Sequence, residues 1–170
     1  MQDFVHLHVH TQYSLLDGQA SVARLVDKAM KNGMKGIAVT DHGNMFGIKE
    51  FTNYVNKKNS GPKGEVKDLK KRIAGIEAGT IECEDKEAEI ADCKAKIVEA
   101  ESKLFKPIIG CEMYVARRTM DLREGKLDQS GYHLIVLAKN EKGYHNLIKL
   151  VSHAWTRGYY MRPRTDRSEL

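Results

Sequence analysis

Three histidines stand at alternate positions near the start of the chain: His6, His8 and His10 in FVHLHVH. On a strand, residues two apart point the same way, so His8 and His10 share a face, and His6 shares it one step earlier. Two imidazoles so placed can hold one metal ion or two neighbouring ones, and imidazole suits zinc, iron and manganese. Taken alone, the pair fits ordinary surface or core histidines better than a metal site. Its company favours chemistry. Asp41 and His42 stand where the apolar run GIAVT gives out, Glu112 lies beside Cys111 in KPIIGCEMYVA, and His133 leads HLIVLA. Asp17, in LLDG, lies on the loop after the first strand and can reach the same face. In parallel α/β folds, ligands collect at the carboxyl ends of strands. A mixture of neutral nitrogen and anionic oxygen donors suits a multinuclear site of roughly two or three divalent ions better than structural zinc, which favours cysteine. Such ions would orient a phosphoester, lower the pKa of a bound water and stabilise the leaving oxygen, so phosphoester hydrolysis is the expected reaction. No GxGxxG, GxxxxGK[ST] or GxSxG motif points to competing chemistry.

These residues need elements to position them. DFVHLHV alternates as a strand does. SVARLVDKAMKNG reads as a helix, with Ser21 as cap, apolar residues at Val22, Leu25, Val26 and Met30, and Gly33 at its end. KGIAVTDHG is a short strand and turn, and GIKEFTNYVNKKN a second helix. Strand and helix in alternation predict an α/β fold with parallel strands. SGPKG reads as a turn cluster. Val66, Leu69, Ile73 and Ile76, then Ile90, Cys93, Ile97, Ala100 and Leu104, recur at helical steps. They predict an antiparallel helical hairpin over residues 60–106, inserted between two parts of one domain, 1–59 and 107–170. The hairpin is either a solvated spacer or a docking arm. Two more strands follow, KPIIGCEMYVA and GYHLIVLAKN. EKGYHNLIKLVSHAWTRGY then forms a helix with Leu147, Ile148, Val151 and Trp155 on one side. MRPRTDRSEL is polar and basic and closes no obvious element.

The 170 residues suffice for one substantial core. The net charge of +5 is uneven: residues 60–106 carry 10 basic and 11 acidic residues, and the rest of the chain is clearly basic. That suits a polyanionic partner such as nucleic acid, although many basic proteins bind none. Three widely spaced cysteines, Cys83, Cys93 and Cys111, argue against a disulfide framework and CxxC zinc sites and fit a reducing cytoplasm. No apolar run is long enough for a membrane span, and no secretory signal is seen.

Together, HLHVHTQYSLLDG, GIAVTDHGNMFG, KPIIGCEMYV, HLIVLAKNEKGYHNLIKLVS and RGYYMRPRTDRSEL resemble, in family order, the N-terminal PHP (polymerase and histidinol phosphatase) domain of bacterial replicative DNA polymerase III alpha subunits. The resemblance covers nearly all of the chain outside 60–106. It implies a distorted (β/α)7 barrel, incomplete here, with divalent metals (Zn, Mn, Mg or Fe) held by His8, His10, Asp17, His42, Glu112 and His133. Asp41, His42 and Glu112 are the implied catalytic set, with Asp41 steadying the site without touching metal. His6 would not be a ligand, and His145 and His153 read as ordinary helix residues. The implied role is 3′-to-5′ exonuclease proofreading, or structural support of a polymerase working with DNA and other replicative subunits. The alternative is a stand-alone PHP phosphatase acting on a small phosphate monoester. The family continues past the last residue here, so the chain is expected to be a portion of a far longer polymerase, with strand edges that favour self-association.

Overall fold

The computed structural model describes residues 4–129 and 131–170. They fall into two compact units: one contains the chain up to Asn53 and from Pro107 to Leu170, the other Tyr54–Lys106.

In the first unit the strand expected over DFVHLHV does not form a regular ladder. Asp3 lies outside the described residues, and the chain bends at Leu7 and His8. Two main-chain bonds still lay this segment along its neighbour, Ala38 N to His6 O at 2.9 Å and Thr40 N to Val9 O at 2.9 Å. That neighbour is β1 (Gly36–Val39), buried along its whole length as a strand covered on both faces should be. Before it comes α1 (Val22–Lys31), with Ser21 accepting from Arg24 N and Val22, Val26 and Ala29 buried. After it comes α2 (Ile48–Lys58).

The long strand β2 (Lys106–Val115) organises the sheet. Beside it, β1 gives way to a parallel bridge between His42 and Glu112, and farther along the same edge β5 (Arg162–Thr165) pairs in parallel, Tyr114 opposite Arg164. On its other side runs β3 (Tyr132–Leu137), and this pairing is antiparallel, with Tyr114 opposite His133. The sheet is therefore mixed rather than parallel throughout. The link between β2 and β3 carries the short helix α5 (Gly125–Gln129) and returns the chain antiparallel to β2. Its direction has a consequence for the site: the first residues of β3 lie at the carboxyl end of β2.

Helix α6 (Glu141–Thr156) starts at Asn140, whose side chain accepts from Gly143 N. It buries Leu147 and Ala154 against Cys111 and Met113, with Met45, Val136, Leu150 and Val151 around them. The expected apolar face is thus rotated. Leu147, Leu150, Val151 and Ala154 form the core stripe, at spacings typical of an amphipathic helix, whereas Ile148 and Trp155 are 38% and 43% exposed.

The polar tail also departs from expectation. β4 (Tyr159–Tyr160) and β5 form an antiparallel pair, Tyr160 opposite Arg162. Arg164 is fully buried. Its guanidinium donates to the carbonyls of Gly158 (3.0 Å), Asp128 (3.0 Å) and Met120 (2.7 Å). A buried cation needs hydrogen-bond partners, and these carbonyls give each of its three nitrogens one. Replacing Arg164 with Met keeps the stem and removes every donor. We expect a loss of about 3 kcal/mol, read as a lower denaturation midpoint at unchanged slope. An unchanged midpoint would contradict this role.

In the second unit, α3 (Ser60–Glu77) and α4 (Lys86–Ser102) pack along each other, with Arg72 paired to Glu89 at 2.8 Å. SGPKG is not a turn. It forms the first turn of α3, where Pro62 is tolerated because its missing N–H would have no helical partner. Asn59, just before it, exchanges two hydrogen bonds with Phe105, Nδ2 to its carbonyl at 2.8 Å and Oδ1 from its N–H at 2.9 Å.

Candidate metal centre

Six side chains from four places in the chain converge where β1 and β2 end. Glu112 is at the centre and almost fully buried. Its Oε2 lies 2.5 Å from His8 Nε2 and 2.7 Å from His10 Nε2, and His133 Nδ1 contacts its Oε1. The same Oε1 is 3.6 Å from His42 Nδ1. Asp17 Oδ2 lies 3.0 Å from His42 Nε2 and 3.2 Å from His10 Nδ1. His42 sits among the other rings, with centroids 4.1 Å from His10 and 5.4 Å from His133, and stacks on Tyr114 at 5.7 Å.

Local structure explains this convergence. The loop after His10 folds back on itself through Ser14 N to Thr11 O (2.9 Å) and Gly18 N to Ser14 O (2.7 Å), which swings Asp17 over the strand ends. Gly18 is needed there, since a Cβ would sit 1.8 Å from the Thr11 carbonyl oxygen. Asp41 fixes the loop. It is buried and accepts from Thr11 N (2.6 Å), Thr11 Oγ1 (2.8 Å) and Ser14 Oγ (2.7 Å), and Ser14 Oγ in turn accepts from His42 N at 3.2 Å. On the other side Gly43, with φ +60°, turns the chain away and donates to the Glu112 carbonyl at 2.9 Å. The Trp155 indole closes the turn by donating to the Gly43 carbonyl at 2.8 Å.

The electrostatics follow from one buried carboxylate, Glu112, and one half-exposed carboxylate, Asp17, set among imidazoles. Burial pushes the Glu112 carboxyl up, but bonds from His10, His133 and His8 outweigh it and hold the group at about 2. Partial burial also raises Asp17, and His42 and His10 bring it below the usual carboxylate range. Burial pushes the Cys111 thiol up to about 12. Although adjacent to Glu112, it is a neutral core group whose sulfur donates to the Asp41 carbonyl at 3.4 Å.

The donor set fits divalent cations. Three groups bring their ligand atoms within 4.8 Å of one another: His8, His10 and Glu112; His10, Asp17 and His42; His42, Glu112 and His133. His10, His42 and Glu112 each belong to two groups, as ligands shared between neighbouring ions would. His42 Nδ1 is buried with no hydrogen-bond partner among the described residues. A buried nitrogen with its lone pair aimed at a carboxylate is costly unless a cation or donor stands between them.

The structure thus brings together every residue the sequence marked as a candidate ligand: His8, His10, Asp17, His42, Glu112 and His133. His133 reaches the cluster because β3 runs antiparallel, not because it ends a parallel strand. Asp41 lies beneath the cluster. His6 is placed differently from its expected shared face. Its ring packs edge-on against Phe4, centroids 4.7 Å apart, and it lines a cavity with Val9, Leu25 and Ala29. The bend at Leu7 and His8 breaks the two-residue alternation between His6 and its neighbours. His145 and His153 lie on α6, near Glu141 and Glu169. Residue-type reading missed Tyr114, although its position two after Glu112 puts it on the same face of β2. It also missed the anchoring roles of Thr11 and Ser14, which no residue-type signal marks.

An α/β sheet carrying a cluster of histidines and carboxylates across its strand ends defines a class of domain equipped to hold divalent metals. Comparison with known proteins gives the particular family. The PHP domain family model matches residues 6–170, and the chain belongs to that family. It is 39% identical over 168 residues to the DNA polymerase III subunit alpha of Borreliella burgdorferi, covering 98% of this chain and 11% of that protein. To the same subunit of Treponema pallidum it is 40% identical over 164 residues, covering 96% and 10%. To that of Aquifex aeolicus it is 33% identical over 171 residues, covering 97% and 11%. The chain spans about a tenth of the length of these relatives.

Proposed function

We propose that this PHP domain hydrolyses phosphodiesters at the 3′ end of DNA with two or three divalent ions, as part of a replicative DNA polymerase. The observation that carries the reading is the convergence of four imidazoles and two carboxylates into three overlapping ligand groups. The names of the relatives support DNA and other polymerase subunits as partners. When bound, the ions would supply Lewis-acid activation of the phosphoester and a water of lowered pKa. The chain does the rest. Glu112 and Asp17 furnish the anionic donors that offset cation charge, and Glu112 stays ionised across the whole physiological range. Tyr114 stacks on His42 and fixes its ring, and Asp41 holds the Asp17 loop and the His42 backbone in register. Residues 60–106 are then an insertion in this domain, with α4 and its C-cap Lys103 carrying the exposed charged pairs Lys96–Asp92 and Lys103–Glu99.

The test compares hydrolysis of a 3′-terminated single strand with that of histidinol phosphate by Mn²⁺- or Zn²⁺-loaded protein. Preference for the strand is expected. Preference for the small monoester would overturn the reading.

A further inference from the structure

Beside the cluster lies an aromatic cleft that shares only His42 with the candidate metal ligands. Its volume is about 290 Å³, and its walls include His42, Phe46, Trp155, Tyr159 and Arg162. Its rings are layered. Trp155 and Tyr159 are stacked, with centroids 5.7 Å apart and planes 21° from parallel, and Phe46 stands 6.5 Å from Trp155. These rings are not core residues, since Phe46 is 66% exposed and Tyr159 49%. The Trp155 indole is held by its bond to Gly43, so its orientation is set before anything binds.

Two features point to the occupant. His42 belongs both to the cleft and to the metal cluster, so a molecule seated among the rings has its neighbouring bond at the candidate reaction centre. Arg162 lines this cleft and also a smaller cavity, about 110 Å³, shared with Tyr114 and His133. Its guanidinium lies 4.9 Å over the Tyr114 ring. A cation between a stacking surface and a metal site is placed where a phosphate would link the two. A cleft of about 290 Å³ has room for one planar base.

We propose that this cleft is a nucleobase pocket that takes the terminal base of a single-stranded DNA end, with Phe46, Trp155 and Tyr159 as the stacking surface and Arg162 beside its phosphate. The proposal rests on the phosphodiesterase reading above and adds how the strand end is held. Stacking on aromatic faces tolerates every base, so the pocket selects an unpaired terminus rather than a sequence.

Trp155 is the only tryptophan in the chain, which makes its fluorescence a reporter of the pocket. The probes are a short oligothymidylate and the same strand with an abasic 3′-terminal residue, titrated in EDTA and again with Ca²⁺. The base-bearing strand should quench Trp155 and bind about tenfold more tightly than the abasic one. Phe46→Ala, at an exposed ring, should bring that ratio close to one, and Tyr159→Leu should lower it. Equal binding of the two strands, or a ratio unchanged in Phe46→Ala, overturns the pocket. Metal-dependent cleavage of bis-p-nitrophenyl phosphate, which has no base, tests the hydrolytic reading separately. Cleavage without base discrimination sinks the pocket alone. Base-dependent quenching without cleavage supports the pocket and sinks the hydrolytic reading.

Discussion

Replacing Glu112 with Gln is expected to abolish both divalent-metal uptake and phosphodiester hydrolysis. Glu112 belongs to two of the three ligand groups, and its two oxygens face four histidines. The substitution keeps the shape of the side chain, so the fold survives. It removes the buried negative charge at the centre of the cluster and turns one acceptor into a donor aimed at ring nitrogens. The loss should exceed the roughly 10- to 100-fold that follows loss of a residue supporting a ligand from outside. Metal content by mass spectrometry and hydrolysis rates check it together, and a variant that retains full metal and activity would contradict it. An acid titration of metal-free protein gives a further readout. The carboxyl is held at about 2 in the folded chain against an ordinary 4.5. Its contribution to stability is therefore fully present above about pH 4.5 and is lost as pH falls from there through about 2. Glu112→Gln should flatten that part of the acid limb, and an identical limb in the variant would count against the geometry.

Replacing Asp41 with Ala is expected to have the next largest effect, and on two observables at once. Three donors lose their acceptor: Thr11 N, Thr11 Oγ1 and Ser14 Oγ. All sit in a buried setting, so the expected cost is about 3 kcal/mol of folding stability. The freed loop carries Asp17, and Ser14 no longer holds the His42 backbone in place. Metal affinity should fall by roughly 10- to 100-fold even at temperatures where the variant is fully folded. Denaturation midpoints and metal titration separate the two effects. A variant that loses stability and keeps its metal affinity would show that Asp41 serves the fold alone.

The candidate site was more legible than the architecture that builds it. Histidine and carboxylate stand out at apolar run ends, and such groups have few other reasons to gather there. Helix α1 was equally plain, because its cap, apolar stripe and terminal glycine agree. Other features depend on partners distant in sequence. The antiparallel direction of β3 is set by its pairing with β2, Tyr114 opposite His133, not by any residue type in YHLIVL. Arg164 reads as surface charge until the carbonyls of Met120, Asp128 and Gly158 are found around it. SGPKG carries turn-forming residues, but a proline costs nothing in the first turn of a helix, and α3 begins there. His6 looks like a third equivalent of His8 and His10 until the bend after it sends its ring against Phe4. The rotated face of α6 is the converse case: Trp155 is a residue type common in cores, yet it lies half exposed beside the candidate metal centre.

As proposed, His8, His10, Asp17, His42, Glu112 and His133 hold divalent cations. The direct measurement is the number of Mn²⁺ or Zn²⁺ ions bound per chain at saturation, by calorimetric titration with elemental analysis, in the native protein and in His10→Ala. The ligand groups predict two or three ions in the native protein and fewer in the variant, because His10 belongs to two of them. A native protein that binds none, or a variant that binds as many with unchanged affinity, would contradict the claim.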